Sequence, residues 1–284
     1  MGKASRRKKE KREQQETTSR PEHPTRSIVE NLLFGTANPL VMICVYGPED
    51  PIKGRQFFRS MGFVCERLKD NLKLVVTCRH SLLELKKYQQ GCVVMKNPNV
   101  NVLKVMGEPI EDTNPETDIA FMVVEDPFNS PTQPFMLSEE NPPLVVKDQM
   151  LYNASAKDVN PFMRSFNPFI ARQQVGEEHR AAYCKMSETA TNWMPFTNVE
   201  LQQKLEGEGW IRCRMFNMVS RKGFSGSPIW DDELRLYGLD VRGSSPGDGF
   251  FEELGDQVVC LPTSELYKAR QRIQPLLTEF LTKT

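Results

Sequence analysis

The chain reads as two sets of six short β-rich runs, separated by a stretch that no central strand can cross. Pro127, Pro131, Pro134, Pro142 and Pro143 crowd residues 127 to 143, and each proline removes a backbone donor and fixes its own φ. Before this stretch lie runs at Leu40 to Tyr46, Gln56 to Arg67, Leu72 to Thr77, Cys92 to Lys96, Val100 to Met106 and Ile119 to Val124. After it come Leu144 to Asn153, Ala181 to Met186, Trp210 to Met218, Ser227 to Trp230, Leu234 to Val241 and Gln257 to Leu261. Runs of this length bounded by turn residues predict strands, and six of them suit one small antiparallel barrel. The expected fold is therefore all-β, with two antiparallel six-stranded Greek-key barrels joined by the proline-rich linker. Residues 154 to 209 hold more chain than one strand needs and predict a loop insertion. Thr263 or Ser264 is placed to cap a closing C-terminal helix, in which Leu266, Ala269, Ile273 and Leu277 follow helical spacing and Pro275 ends or kinks the turn. That stripe reads as packing.

Length and composition narrow the setting. A chain of 284 residues, 39% hydrophobic, is long enough to bury two small cores. It has no run of 18 apolar residues, so no membrane span is expected, and no apolar segment follows the basic N-terminus as a secretory signal requires. The cysteines at 44, 65, 78, 92, 184, 213 and 260 are odd in number, and most sit inside apolar runs. Such usage predicts reduced thiols and a cytoplasmic location, not a disulfide framework. Without a CxxC pair and with three histidines, a zinc site is not expected, nor is any other cofactor. There is no P-loop, dinucleotide fingerprint or internal repeat.

Residues 1–26 form a separate unit. Met1 to Arg26 carries nine lysines and arginines against four glutamates, a balance of +5 that offsets a mildly acidic remainder and brings the whole chain to zero. With no apolar face this tail predicts disorder. It suits weak contact with RNA, ribosomes or anionic surfaces by counterion release, or a solubilising role alone. Arg6 stands where a myristoylation signal needs Ser or Thr. Ser27 to Phe34 predicts a short helix. The expected organisation is a tail at 1–26, a first barrel with linker at 27–143, and a second barrel with helix at 144–284.

The residues that carry chemistry sit at the ends of these runs. Gly223-Phe224-Ser225-Gly226-Ser227-Pro228 places a serine between glycines at a tight bend before a strand. Such a bend exposes the hydroxyl and gathers backbone N–H groups around it, as an acyl-transfer nucleophile and its oxyanion hole require. A serine nucleophile needs a base. His23 lies in the charged tail and His179 in a charged cluster, whereas His80 ends the apolar run Leu74 to Arg79. The third member should be an acid that orients the imidazole. Asp118, at the mouth of the run beginning Ile119, has that position; Asp112 and Asp126 lie in polar or proline-flanked loops with no strand aiming them at His80.

In this order the motifs resemble those of the trypsin-like, chymotrypsin-fold serine peptidases, and more closely a bacterial intracellular branch than the secreted enzymes. The family's histidine motif corresponds to Val75-Val76-Thr77-Cys78-Arg79-His80, its aspartate motif to Asp118-Ile119-Ala120-Phe121 and its serine motif to Gly223 through Pro228. Tyr237 to Gly243 is similar to the strand and substrate-pairing segment that follow the serine, and Val258 to Ser264 to the junction that closes the second barrel. The likeness spans roughly residues 36 to 275. It implies an active site in the cleft between the barrels, catalysis by Ser225, His80 and Asp118, oxyanion donors at the N–H groups of Gly223 and Ser225, and protein or peptide substrates. It also implies a primary pocket walled by residues 219 to 224, by Val241, Arg242 and Gly243, and by residues 244 to 249.

The sequence departs from the family at two places near the serine. Phe224 stands where secreted members carry an aspartate that pairs with a newly cut N-terminus, so activation of that type is not implied. Ser227 replaces a second glycine. Val219 stands where trypsin carries its pocket aspartate, which favours a medium-sized apolar side chain before the cut unless Asp240 or Asp248 points inward. Two other classes fit parts of the chain: a catalytically silent trypsin-like binding module, and an RNA- or ribosome-associated protein acting through its basic tail.

Overall fold

The structure, a computed structural model, describes residues 37–51, 54–83, 92–96, 101–143, 149–155, 159–160, 165–166, 169–175, 180–186, 191–195, 203–205, 207–208, 210–216, 218, 220, 223–243 and 258–284. The expected disordered tail, the helix at Ser27 to Phe34, His23, His179, Val219 and Asp248 lie outside these residues.

Seven strands make the first sheet: β1 (Leu40–Asp50), β2 (Gly54–Arg67), β3 (Leu72–Thr77), β4 (Cys92–Lys96), β5 (Asn101–Val105), β6 (Ile110–Glu111) and β7 (Ala120–Glu125). Their order is β3-β2-β1-β4-β5-β7-β6, and β3 also pairs with β7. That last pairing closes six strands into a barrel, with the two-residue β6 attached to β7. All pairs are antiparallel. The six expected runs fall on the six barrel strands. β6 has no sequence signature because two residues are too few to display a period.

The second sheet follows the linker. Its strands are β8 (Gln149–Ser155), β11 (Phe169–Val175), β12 (Arg180–Met186), β13 (Thr191–Pro195), β14 (Ile211–Phe216), β15 (Pro228–Asp231), β16 (Leu236–Gly243) and β17 (Val258–Pro262), and β9 (Val159–Asn160) and β10 (Ser165–Phe166) pair as a separate two-stranded sheet. The order is β11-β8-β15-β16-β17-β14-β12-β13, again with antiparallel pairs. Residues 154 to 209 thus hold more strand than the expected loop insertion. β11 pairs with β8 along its whole length, but its Arg172, Gln173 and Gln174 hide it from a search for apolar runs.

The strands read as continuous apolar runs because many are buried on both faces. Leu40, Met42 and Cys44 of β1 join one cluster, with Tyr152, Trp230, Leu239, Val259 and Leu261 of the second sheet. The alternate residues Val41, Ile43 and Val45 join another, with Val75, Met122 and Val124. Successive side chains of a strand point to opposite faces, so β1 fills the first barrel with one set and packs towards the second sheet with the other. The interior of the second sheet has its own cluster of Leu151, Val175, Phe216, Ile229, Tyr237, Val258 and Cys260.

Three ion pairs pin the linker and the C-terminus to the first barrel. Lys73, in the buried strand β3, has its ammonium on Asp126, with the Ser130 carbonyl and Thr132 Oγ1 each at 2.9 Å. Burial opposes the Asp126 charge, but hydrogen bonds from Lys73 and Ser130 and the Lys73 charge outweigh it and hold the carboxyl below its usual range. Helix α1 (Thr263–Arg272) runs into α2 (Gln274–Lys283), and the break falls at Ile273 because Pro275 opens the second helix, as expected. The expected cap differs. The N-cap residue is Pro262 with no side-chain cap, while Thr263 Oγ1 accepts from the linker N–H of Ser138 at 3.2 Å. Arg272 then holds Asp112 with two hydrogen bonds of 2.7 and 2.6 Å, and Arg270 reaches Glu66 at 2.7 Å.

Candidate active site

The β3–β7 ladder decides where two of the candidate residues go. Thr77 pairs with Ala120 at its end, so Cys78-Arg79-His80 leaves the barrel beside Asp118-Ile119. The Arg79 N–H donates to the Asp118 carbonyl at 3.2 Å, the His80 N–H donates to Asp118 Oδ1 at 2.8 Å, and the chain turns helical at His80. Asp118 Oδ2 meets His80 Nδ1. A carboxylate only accepts, so Nδ1 carries the proton and Nε2 is left as the accepting nitrogen of the ring. The imidazole is 40% exposed and the carboxylate 12%, which places a sheltered acid behind a reachable base.

Ser225 arrives from the second sheet. Its turn is closed by the Ser227 N–H, which donates to the Phe224 carbonyl at 2.8 Å. Gly226 N–H donates to the Asp240 carbonyl of β16 at 2.8 Å, and Cys78 Sγ donates to that same oxygen at 3.3 Å. Met61 N–H donates to the Ser225 carbonyl at 2.8 Å, while Thr77 Oγ1 donates to the Met61 carbonyl at 2.7 Å. The serine turn is thereby held on the strand end that leads to His80. Gly226 has φ +86°, and a Cβ there would stand 1.9 Å from Met61 O and 2.6 Å from Thr77 Oγ1. Only glycine satisfies both the torsion and the approach.

The surrounding groups complete the geometry. Gly223 has φ +100°, and among the described residues neither its N–H nor that of Ser225 has an acceptor. Ser227 is fully buried; its Oγ accepts from the Ala154 N–H at 2.7 Å and donates to the Pro228 carbonyl at 2.9 Å. The serine in place of a second glycine therefore ties the turn to β8. Phe224 is buried in the hydrophobic interior. Ligand atoms of Cys78, His80 and Asp118 lie within 4.8 Å of one another. The chemistry of the three opposes a metal: His80 and Asp118 already bind each other, and burial, with the nearby Asp118 and Asp240 charges, pushes the Cys78 thiol up and keeps it protonated.

The other expected site residues divide in two. Val241 is buried in β16, and the backbones of Arg242 and Gly243 pair with Val259 and Val258 of β17; the side chain of Arg242 is outside the described residues, as is Val219. Asp112 and Asp126 are engaged in the ion pairs above and do not join His80. Asp240, whose orientation the sequence left open, is fully buried. The Asp240 carboxyl accepts from Ser220 Oγ at 3.2 and 2.9 Å and from Asn153 Nδ2 at 3.4 Å. Burial raises it to about 7, against hydrogen bonds from Ser220 and Asn153 and the nearby His80. The signal in the sequence was an aspartate inside an apolar strand.

No family model and no curated protein matches the sequence. Solved structures do match. The active form of the Rv3671c protease from M. tuberculosis superposes with a TM-score of 0.55 at 13% identity, covering 89% of this chain and 85% of that one. A serine-to-alanine mutant of Rv3671c in an inactive form gives 0.51 at 12% identity, covering 89% and 91%. The fold is the chymotrypsin fold of trypsin-like proteases. At these identities the likeness establishes the fold alone, and the chemistry rests on the residues.

Proposed function

We propose that the chain is a serine endopeptidase in which Ser225 is the nucleophile, His80 the base and then the acid, and Asp118 the group that orients His80. The observation that carries this reading is the His80–Asp118 pair on a strand end to which the glycine-flanked turn of Ser225 is clamped. His80 Nε2 takes the Ser225 hydroxyl proton as Oγ attacks the peptide carbonyl. The developing oxyanion is received by the N–H groups of Gly223 and Ser225. His80 returns the proton to the leaving amine as the C–N bond breaks, and a water deprotonated by His80 then attacks the acyl-enzyme, releasing the acid and restoring the serine. Asp118 keeps the imidazole in the tautomer that can accept and stabilises its charged form.

The same reading takes Val219 and Val241 to Gly243 as walls of the primary pocket, 27–143 and 144–284 as the two domains, and proteins or peptides of the cytoplasm as substrates. It needs no metal or cofactor, and it leaves residues 1–26 a weak, salt-dependent contact with anionic partners.

The test is turnover of a peptide substrate by wild type, Ser225→Ala and Asp118→Asn, with circular dichroism to check folding. Asp118→Asn keeps the shape but removes the charge and permits the wrong tautomer, and the expected loss in turnover is of order 10⁴. Ser225→Ala should fall to near background. If Asp118→Asn retains more than about a tenth of wild-type turnover, far above the level that a loss of order 10⁴ leaves, the role given to Asp118 is wrong. Absence of turnover in the wild type would favour the binding module, or the tail as the working part.

A further inference from the structure

The linker between the two sheets walls a cleft to which acyl transfer gives no part. Pro134, Phe135, Met136 and Pro142 of the linker face Leu234 and Leu236 of the turn between β15 and β16, around a volume of about 470 Å³. A space of that size admits several large side chains. Met136 is 73% exposed, so a large apolar group stands in water at the cleft. The chain enters the first barrel at the same place. Gln133, another wall of the cleft, donates its N–H to the Ala37 carbonyl at 2.9 Å, and Phe135 N–H donates to the Val64 carbonyl of β2 at 3.0 Å. Ala37 is thereby tied to the edge of the cleft, and the segment that precedes it starts from that edge. We propose that residues 27–34 of the same chain occupy this cleft and bridge the linker to the β15–β16 turn.

The sequence of that segment calls for a partner. In the helix predicted for Ser27 to Phe34, Ile28 and Leu32 stand four residues apart, as do Val29 and Leu33, and together they form one apolar face. A helix of eight residues does not persist alone in water, so this face needs an apolar surface within reach. Leu32 lies five residues before Ala37, which keeps it within about 18 Å of Ala37 even in a fully extended chain. Met136 lies three residues along the linker from Gln133, at most about 11 Å away. The other exposed large apolar side chains among the described residues, Val102, Phe128 and Leu276, do not line this cleft. Charge favours the same match. Residues 139–142 and 231–236 carry five carboxylates against one arginine, and that arginine, Arg235, is engaged by Asp231 and Glu233. Arg20 and Arg26 precede the segment in a tail whose balance is +5. The acidic rim orients this basic approach, while the apolar face supplies the affinity. A short tether also gives the segment an effective concentration of order millimolar, ahead of a second copy. Because β15 begins at Pro228, three residues after Ser225, the docked segment braces the strand that leaves the serine turn.

The experiment puts the photo-crosslinker benzoylphenylalanine in place of Leu32 in the full chain, irradiates it in dilute solution and maps the product by mass spectrometry. The expected product joins residue 32 to Leu234, Arg235 or Leu236 of the same molecule. That wall decides the matter, since the tether alone brings residue 32 near the linker. Met136→Asp sets a charge in the cleft and should lose most of this product. Phe128→Asp, on the same linker but outside the cleft, should keep it. Both side chains are exposed, so both variants should fold, which circular dichroism checks. A product joining two chains would assign the cleft to a second copy, and a product elsewhere, or none, would leave it to a foreign partner. Each of these overturns the proposal, as does an equal yield with and without Met136→Asp. Should that variant not fold, the location of the product in the unaltered cleft decides. Hydrolysis is no part of the readout, so this proposal and the peptidase reading stand or fall separately.

Discussion

Asp126 and Asp240 are both fully buried, yet their protons respond in opposite directions. Asp126 has Lys73, and its lowered carboxyl stabilises the fold above the unfolded value near 4, with that stability lost as pH falls through the folded value. Among the described residues Asp240 has no such partner. Its folded value is raised to about 7, so the folded state keeps a proton that the unfolded chain has released, and stability falls as pH rises from about 4 to about 7 and is level above that. Three pH units at 1.36 kcal/mol each set an upper bound of about 4 kcal/mol. Replacing Asp240 with Asn keeps an acceptor for Ser220 and removes the titration. The Tm of Asp240→Asn should therefore exceed that of wild type by several degrees at pH 8, at about 2–4 °C per kcal/mol, and the gap should shrink as pH falls below about 7 and close only near pH 4. A gap independent of pH would contradict this account. Ser225, His80 and Asp118 were legible in the sequence because each ends or begins an apolar strand beside a turn signal. The orientation of Asp240 was not, since the register shift between Asp240 and Arg242 breaks the alternation that assigns side chains to faces. Its contacts with Asn153 and Ser220 are 87 and 20 residues away in sequence.

At the scale of elements, the C-terminal helices act as a clasp on the first barrel. Arg272 makes a two-pronged contact with Asp112, whose side chain is fully buried, while the arginine itself is 30% exposed. Removing one partner of such a pair strands the other as an unpaired buried charge. Arg272→Ala should lower stability by about 3 kcal/mol, the low end of the buried-pair range because solvent reaches the guanidinium. Asp112→Asn, which leaves a neutral acceptor, should cost less. Urea unfolding of both variants checks this, and a loss below about 0.5 kcal/mol for Arg272→Ala, the scale of ordinary surface changes, would show that α1 is held by its apolar face alone. The sequence shows Asp112 and Asp126 only as residues of polar or proline-flanked loops, because an ion pair formed across 160 or 53 residues leaves no local pattern. Strands were legible where both faces are apolar, as in β3 and β7. They were hidden where polar residues interrupt the apolar run, as Arg172, Gln173 and Gln174 do in β11, or where the strand is only two residues long.

For the whole molecule, one arrangement links fold and chemistry. The residues of β1, β2 and β3 that point away from the first barrel's interior meet Trp230, Leu239 and Val259 of the second sheet, and that shared apolar layer fixes the two sheets against each other. Across the layer, the Met61–Ser225 and Cys78–Asp240 contacts join the serine turn of one sheet to the strand end of the other. A nucleophile from one half and its base from the other can keep their geometry only while this junction is intact. The direct test is covalent: treat the full chain with a fluorophosphonate and locate the adduct by mass spectrometry of its peptides. A single adduct at Ser225 in wild type is the predicted result, with none in Ser225→Ala and a much slower reaction in His80→Ala. An adduct elsewhere, or equal labelling of wild type and Ser225→Ala, would contradict the assignment of Ser225 as the nucleophile.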